Sequence, residues 1–368
     1  MLNILVAGLI SLIITLIGTR SWILFLKRHA YGQFIRDDGP TTHHVKRGTP
    51  TMGGAIVLVA VVLGYLGSHW LLTLAGSMGF AGLDSSAQPL TVSGLLALGL
   101  MLALGAVGFA DDFAKIRHAR SLGLHAKAKL ALQTVIGLVF AALALSFPDA
   151  AGVSPASPAI SFGRDISWLT LPVWLAIPWI LFIIAAYSNG ANLTDGLDGL
   201  LTGVAAMAFV AYGVVNFWQW NQDCARQAEA GCYTVRDPLD LAVLAAAVGG
   251  ALVGFLWWNA RPAKIFLGDT GSLAIGGGFA AMTVLTRTEL VGIVIGLLFV
   301  LEALSVVLQV GFFRLTKGRR LFKMAPLHHH FEMLGWDEVT VVIRLWMVAG
   351  IAIFGGVGLF YAQWVLAQ

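Results

Sequence analysis

Val92-Ser-Gly-Leu-Leu-Ala-Leu-Gly-Leu-Met-Leu-Ala-Leu-Gly-Ala-Val-Gly-Phe-Ala110 runs nineteen residues without a charge and ends on Asp111-Asp112-Phe-Ala-Lys115. A bilayer core of roughly 30 Å is crossed by about 20 helical residues, so a run of this length and polarity reads as a membrane-spanning helix. The two carboxylates stand where it meets water. Outward from this stretch the same kind of block recurs, with apolar runs at 2–26, 52–74, 92–110, 130–147, 168–187, 200–218, 239–258, 272–286, 290–313 and 341–366. The eighth is short and rich in glycine at Gly276, Gly277 and Gly278. The expected fold is an all-α integral membrane protein of about ten transmembrane helices, a single polytopic domain over residues 1–368.

Composition agrees, with 58% hydrophobic and only 11% charged residues, against roughly 45–50% and about 25% in soluble chains. The net charge of +4 does not point to nucleic acid, because the cations gather in loops between apolar runs and no basic-aromatic surface accompanies them. The run at 2–26 has no basic residues before it and is too long for a signal-peptide core, so it reads as a retained helix. Cys224 and Cys232 are too few for a thiolate cluster and have no redox spacing.

Charge also orients the chain. The loops on one side hold Lys27, Arg28, Arg36, Lys46 and Arg47, then Lys115, Arg117, Arg120, Lys127 and Lys129, then Arg261 and Lys264, then Arg314, Lys317, Arg319, Arg320 and Lys323. The other side holds only Arg164, Arg226, Arg236 and Arg287. Positive-inside bias therefore predicts both termini periplasmic. Asp111, Asp112, Asp195, Asp198, Asp269 and the histidines at 328–330 then share the cytoplasmic face. The segments 75–91 and 150–166, rich in Gly, Ser and Pro, read as periplasmic loops.

The acids carry the chemistry. Asp111-Asp112 suits a divalent cation, since magnesium takes one or two carboxylates with water and substrate phosphate; a solvated helix end is the plainer reading. In Asn189-Gly-Ala-Asn192-Leu-Thr-Asp195-Gly-Leu-Asp198-Gly a helical turn would set Asn192, Asp195 and Asp198 on one face, and acids at a membrane boundary are costly unless functional. In Asn259-Ala-Arg-Pro-Ala-Lys264-Ile-Phe-Leu-Gly-Asp269-Thr-Gly-Ser272 an aspartate between glycines opens a helix, whose free N–H groups receive anions. His328, His329 and His330 are contiguous, point in different directions and do not make one zinc face; hydrogen bonding to phosphate or sugar fits them better. Lys46, Arg47 and Thr51, with Lys127 and Lys129, are candidates for substrate phosphates. Glu302, deep in a helix, has a structural reading at least as strong as a catalytic one.

Taken together, Thr49-Pro-Thr-Met-Gly-Gly, Asp111-Asp112, Asn192-Leu-Thr-Asp-Gly-Leu-Asp-Gly, Phe266-Leu-Gly-Asp-Thr-Gly-Ser and Pro326-Leu-His-His-His-Phe-Glu resemble the signatures of the phospho-N-acetylmuramoyl-pentapeptide-transferase family, within the polyprenyl-phosphate N-acetylhexosamine-1-phosphate transferases. The resemblance runs from about Arg36 to Trp346, and the histidine loop is its most discriminating part. It implies transfer of phospho-MurNAc-pentapeptide from UDP-MurNAc-pentapeptide to undecaprenyl phosphate, giving lipid I and UMP for peptidoglycan synthesis. It also implies ten helices, a homodimer and Mg2+ in a bacterial inner membrane. By motif position it makes Asp269 the metal ligand, Asp111 and Asp112 the paired acids, Lys129 the essential loop lysine and His328 and His329 the substrate-loop histidines; Asp111, Asp112, Asp269 and His328 are the expected catalytic residues. Lys46, Thr51, Lys129, Asn189, Asn192, Asp195, Asp198, Asn259, His329 and His330 become substrate-binding. Two departures stand out: Tyr187-Ser-Asn-Gly-Ala-Asn replaces the commoner Ser-Asn-Ala-Val-Asn form, and 219–238 is a longer, more polar external segment whose two cysteines are either bridged or free. The competing functions are an ion-coupled transporter, disfavoured because its acids belong near the midplane, and a sibling transferase using UDP-N-acetylglucosamine, disfavoured by the histidine loop.

Overall fold

The computed structural model describes residues 1–29, 31–32, 46, 48–78, 89–117, 123–227 and 231–366. Arg36, Arg47 and Arg120, with most of the expected 75–91 loop, lie outside the described residues. In chain order the elements are α1 (Leu2–Arg28), α2 (Gly53–Ser77), α3 (Val92–Arg117), α4 (Ala126–Ser146), β1 (Ala159–Ser161), β2 (Asp165–Thr170), α5 (Val173–Thr194) and α6 (Leu200–Asn221). There follow α7 (Pro238–Asn259), α8 (Gly268–Leu285), α9 (Glu289–Ile295), α10 (Leu297–Leu315), α11 (Leu327–Glu332) and α12 (Glu338–Val365).

Among the described residues nine helices are long and apolar enough to cross a membrane: α1 to α7, α10 and α12. Their packing inverts the soluble pattern. Along α1 the inward positions are Asn3, Ala7, Ser11, Thr15 and Thr19, one per helical turn, while Leu5, Leu9, Ile13 and Ile17 face outward. Lipid accepts the leucines as readily as a core does, so small and polar side chains face inward, where backbones approach closely and hydroxyls find acceptors. Ser11 Oγ donates to Ala60 O on α2 at 3.0 Å, and Gly254 of α7 leaves no room for a Cβ beside Thr15.

The eighth expected span is α8, eighteen residues long and buried from Thr270 to Leu285. Its glycines lower its hydropathy and serve this central position. A Cβ at Gly276 would strike the backbone of Tyr187 and Ser188, and one at Gly277 would strike Leu104. The helix thus seats between α3 and α5. Phe279 meets Tyr187, Phe209, Tyr212 and Phe299 edge to face, a favoured ring geometry. The ninth expected span is broken at Gly296 into α9 and α10.

One stretch differs from expectation. Within the expected loop and the start of the expected fifth span, β1 and β2 form an antiparallel hairpin, and α5 begins only at Val173. Ile160, Ile166 and Trp168 are β-favouring residues, and Pro172 sits at the N-cap of α5, where the backbone is extended before the helix starts. On this same side the structure joins Cys224 to Cys232 in a disulfide.

Candidate active site

Two glycine-bearing motifs lie side by side and aim the central acid. Phe266 N–H donates to Pro50 O at 2.8 Å, while Gly53 and Gly54 N–H donate to Phe266 O and Leu267 O at 2.9 and 2.7 Å. Gly268 then takes φ +75°, and a Cβ there would sit 2.6 Å from Asp112 Oδ2 and 2.9 Å from Thr51 Oγ1. Only glycine makes that left-handed turn without clash. It delivers Asp269 into the first turn of α8.

Asp112, near the end of α3, closes the start of α8. Its carboxylate accepts from Asp269 N (3.1 Å), Thr270 N (2.9 Å) and Thr270 Oγ1 (2.7 Å), satisfying N–H groups that a helix start leaves without partners. Asp111 accepts from Leu124 N at 2.8 Å through Oδ1, and its Oδ2 lies 2.6 Å from Lys115 Nζ, one turn further along α3. Asp269 is the meeting point. Its Oδ2 is 2.6 Å from Lys129 Nζ on α4 and 3.2 Å from Lys115 Nζ, and its Oδ1 accepts from Asn192 Nδ2 on α5 at 3.0 Å. Asn192 also donates to Ser272 Oγ at 2.8 Å. Asp111, Asp112 and Asp269 each offer an oxygen, all within 4.8 Å of one another. This all-oxygen set is of the kind hard cations take. Asp195, just past α5, joins from the other side. Burial pushes its carboxyl well above the usual range, the nearby Asp269 and Asp112 push it the same way, and an N–H bond from Gly268 opposes them.

Several expected residues are not in this cluster. Asp198 does not share a face with Asn192 and Asp195, because α5 stops at Thr194 and the chain turns through Gly196 to Gly199, which has φ +78°. Asp198 instead accepts from Lys46 Nζ (2.6 Å) and Ala263 N (3.1 Å). Lys46, expected at substrate phosphates, is held between Asp198 and Glu338, at 2.6 Å from each. Asn259 is buried, accepting from Thr202 Oγ1 at 2.6 Å and donating to Ile265 O at 3.0 Å. It braces the chain ahead of Asp269. Asn189 donates to Gln133 Oε1 on α4 and to Ala185 O. Thr51 lies against Gly268.

The three histidines turn to three different neighbours. His328 is fully buried, with Nδ1 3.2 Å from Glu302 Oε2, and its ring fills the space that a Cβ on Gly196 would need. It therefore supports the Asp195 loop from beneath. His329 Nδ1 lies 2.6 Å from Glu332, and His330 Nδ1 accepts from Lys323 N at 3.1 Å. Glu302 gains its partner only through the fold.

Sequence reasoning passed over two members. Lys115 looks like one more positive-inside charge, yet its spacing of four from Asp111 already signals a helical pair. Glu338 carries no such local mark.

A family model described as glycosyl transferase family 4 matches residues 94–287. The chain is 56% identical over 370 residues to a phospho-N-acetylmuramoyl-pentapeptide-transferase of Cutibacterium acnes and 54% identical over 375 residues to one of Paenarthrobacter aurescens, covering 100% of both sequences in each case. With the same-named protein of Kocuria rhizophila it shares 50% identity over 372 residues, 100% of this chain and 97% of the relative.

Proposed function

Since the chain belongs to the phospho-N-acetylmuramoyl-pentapeptide-transferase family, we propose that the cluster around Asp269 is where it moves a phosphorylated sugar from nucleotide to lipid. The enzyme transfers phospho-MurNAc-pentapeptide from UDP-MurNAc-pentapeptide to undecaprenyl phosphate, producing lipid I and UMP for peptidoglycan synthesis. The observation that carries the site assignment is the Asp269 carboxylate, shared by Lys115, Lys129 and Asn192 at the start of a buried helix, with two further carboxylates beside it.

Asp269 is the chief ligand proposed for magnesium, with Asp111 the better placed of its two neighbours because Asp112 is tied at both oxygens to backbone N–H groups that open α8, whereas the partner of Asp111 Oδ2 is the Lys115 side chain. Bound there, magnesium supplies positive charge that offsets the diphosphate as UMP departs. The protein's own groups do the rest. Lys129 stands on α4 next to Leu130, which with Gln133, Thr134, Pro178, Leu181, Phe182 and Ala185 lines a cleft of about 210 Å³ between α4 and α5. An acceptor lipid held in that cleft would bring its phosphate to Lys129, whose charge orients it. Asp111 takes the phosphate's remaining proton or fixes its orientation; with a second pKa of about 6 the phosphate needs little base assistance. The acceptor oxygen then attacks the sugar-bearing phosphorus directly while the bond to UMP breaks. Trapping a phosphosugar on the protein without acceptor would overturn that direct route. Asn192 and Asp195 hold the nucleotide side, and His329, His330 and Thr51 border it, while Asn189, bonded to Gln133, stands at the acceptor cleft.

The protein is a multi-pass membrane protein. Its placement in the bacterial inner membrane, with both termini periplasmic and the cluster facing the cytoplasm, is supported by two features. Most Lys and Arg lie on the cluster's side, and the Cys224–Cys232 disulfide lies at the other end of α6, where an oxidising compartment favours it. A homodimer belongs to the same proposal on the strength of the family resemblance, and the mass of the detergent-solubilised protein by light scattering tests it.

The decisive assay is UMP release by purified protein in detergent, with no sealed compartment. Release is expected with UDP-MurNAc-pentapeptide, undecaprenyl phosphate and Mg2+, and not with UDP-N-acetylglucosamine or after chelation. Turnover of UDP-N-acetylglucosamine alone would make the protein the sibling transferase, and no turnover without a membrane gradient would favour a transporter.

A further inference from the structure

Glu338 is the first residue of α12, fastened there by Asp337, whose side chain accepts from Val339 N at 3.1 Å. It is buried. Its Oε1 accepts from Lys46 Nζ at 2.6 Å and from Asp198 N at 3.1 Å, and its Oε2 accepts from Arg261 Nη1 at 2.5 Å. These three partners belong to three separate segments. The Lys46 segment runs on to Thr51, the Asp198 loop begins at Asp195, and the Arg261 loop leads through Phe266 to Asp269. Two carboxylates, Asp198 and Glu338, face two cations, Lys46 and Arg261, so the four side chains balance one another's charge.

The loop from Asp195 to Gly199 needs such an anchor. Glycine stands at both 196 and 199, which removes backbone stiffness. One end is tied to α5, where Asp195 N donates to Ala191 O at 3.2 Å. The other end is tied by Lys46, Ala263 N and Glu338 at Asp198. The Asp111, Asp112 and Asp269 cluster takes no bond from Glu338 among the described residues; its direct side-chain bonds come from α3, α4, α5 and α8.

We propose that Glu338 is a positioning residue for the nucleotide-sugar donor, holding the Lys46, Asp198 and Arg261 segments in register so that Asp195 and Thr51 meet it in place. The proposal rests on the transferase function above. Its test is steady-state UMP release by the full-length enzyme and its Glu338→Ala and Glu338→Gln variants, varying UDP-MurNAc-pentapeptide at saturating acceptor.

Glu338→Ala removes the bonds from Lys46, Asp198 N and Arg261 and is expected to raise KM for the donor at least about tenfold while kcat stays within about threefold, the pattern of lost binding rather than lost chemistry. Glu338→Gln keeps an oxygen for Lys46 and Asp198 N but turns an amide toward Arg261, so its KM rises by about threefold to fivefold. The Mg2+ concentration for half-maximal rate stays at the wild-type value in both. A donor KM unchanged in both variants overturns the proposal, and so does a fall in kcat alone, which reports fewer folded molecules. Glu338→Gln, being isosteric, keeps the test open if Glu338→Ala does not fold. Absence of UMP release from wild-type enzyme removes the functional reading and this role with it, a result distinct from an active wild type beside unaffected variants.

Discussion

Asp269→Asn is expected to lower kcat/KM for UMP release by about 10³-fold or more, at any Mg2+ concentration, without preventing the chain from folding. The estimate starts from the roughly 10²- to 10³-fold loss that follows removal of one preorganised electrostatic contact. Here more than one contact fails. Asp269 uses both oxygens as acceptors, Oδ1 for Asn192 and Oδ2 for Lys129 and Lys115. An asparagine offers one oxygen and one NH2, so either Asn192 or the lysines must face another donor. The substitution also deletes the principal carboxylate proposed for the cation. Initial rates of UMP release at several Mg2+ concentrations measure the effect. Retention of wild-type activity would dismantle the site assignment, because the other groups of the cluster converge on this residue.

How far the sequence discloses this arrangement depends on the range of each interaction. Crossing a bilayer is a local requirement, met within about 20 residues, so nine spans are readable from apolar runs alone. The glycine-rich eighth was readable too, with uncertain ends, because its identity as the most buried helix depends on what surrounds Gly276 and Gly277. The hairpin at 159–170 was not readable. Its register is set by pairing between short strands, and in a segment full of Gly, Ser and Pro the turn signals outweigh the strand signals. At the site, the acids were conspicuous because the chain otherwise avoids charge. Their separate duties were not, since each depends on a partner far along the chain: Asp112 on Thr270, Asp198 on Lys46 and Glu338, His328 on Glu302. The same-face reading of Asp195 and Asp198 failed because it extended α5 one turn beyond its end at Thr194.

The paired acids, inseparable in sequence, are expected to part company on substitution. Asp111→Asn should cut kcat by about 10²-fold yet leave the thermal midpoint near that of wild type. Its Oδ1 role toward Leu124 N survives in an amide, whereas its charge beside Lys115 and Asp269 does not. Asp112→Asn meets a different demand. The carboxylate accepts at both oxygens, with Oδ1 serving Asp269 N and Oδ2 serving Thr270 N and Oγ1, and an amide must present NH2 to one set. A buried donor left facing a donor costs about 1–3 kcal/mol, and the helix start loses a compensating negative charge. Asp112→Asn should therefore lower activity and thermal midpoint together, and Asp111→Asn activity alone. Thermal unfolding in detergent, read beside UMP release for the two variants, separates them. If Asp112→Asn melted like wild type while Asp111→Asn melted early, the division of labour would be reversed, with Asp111 closing the helix and Asp112 facing the substrate.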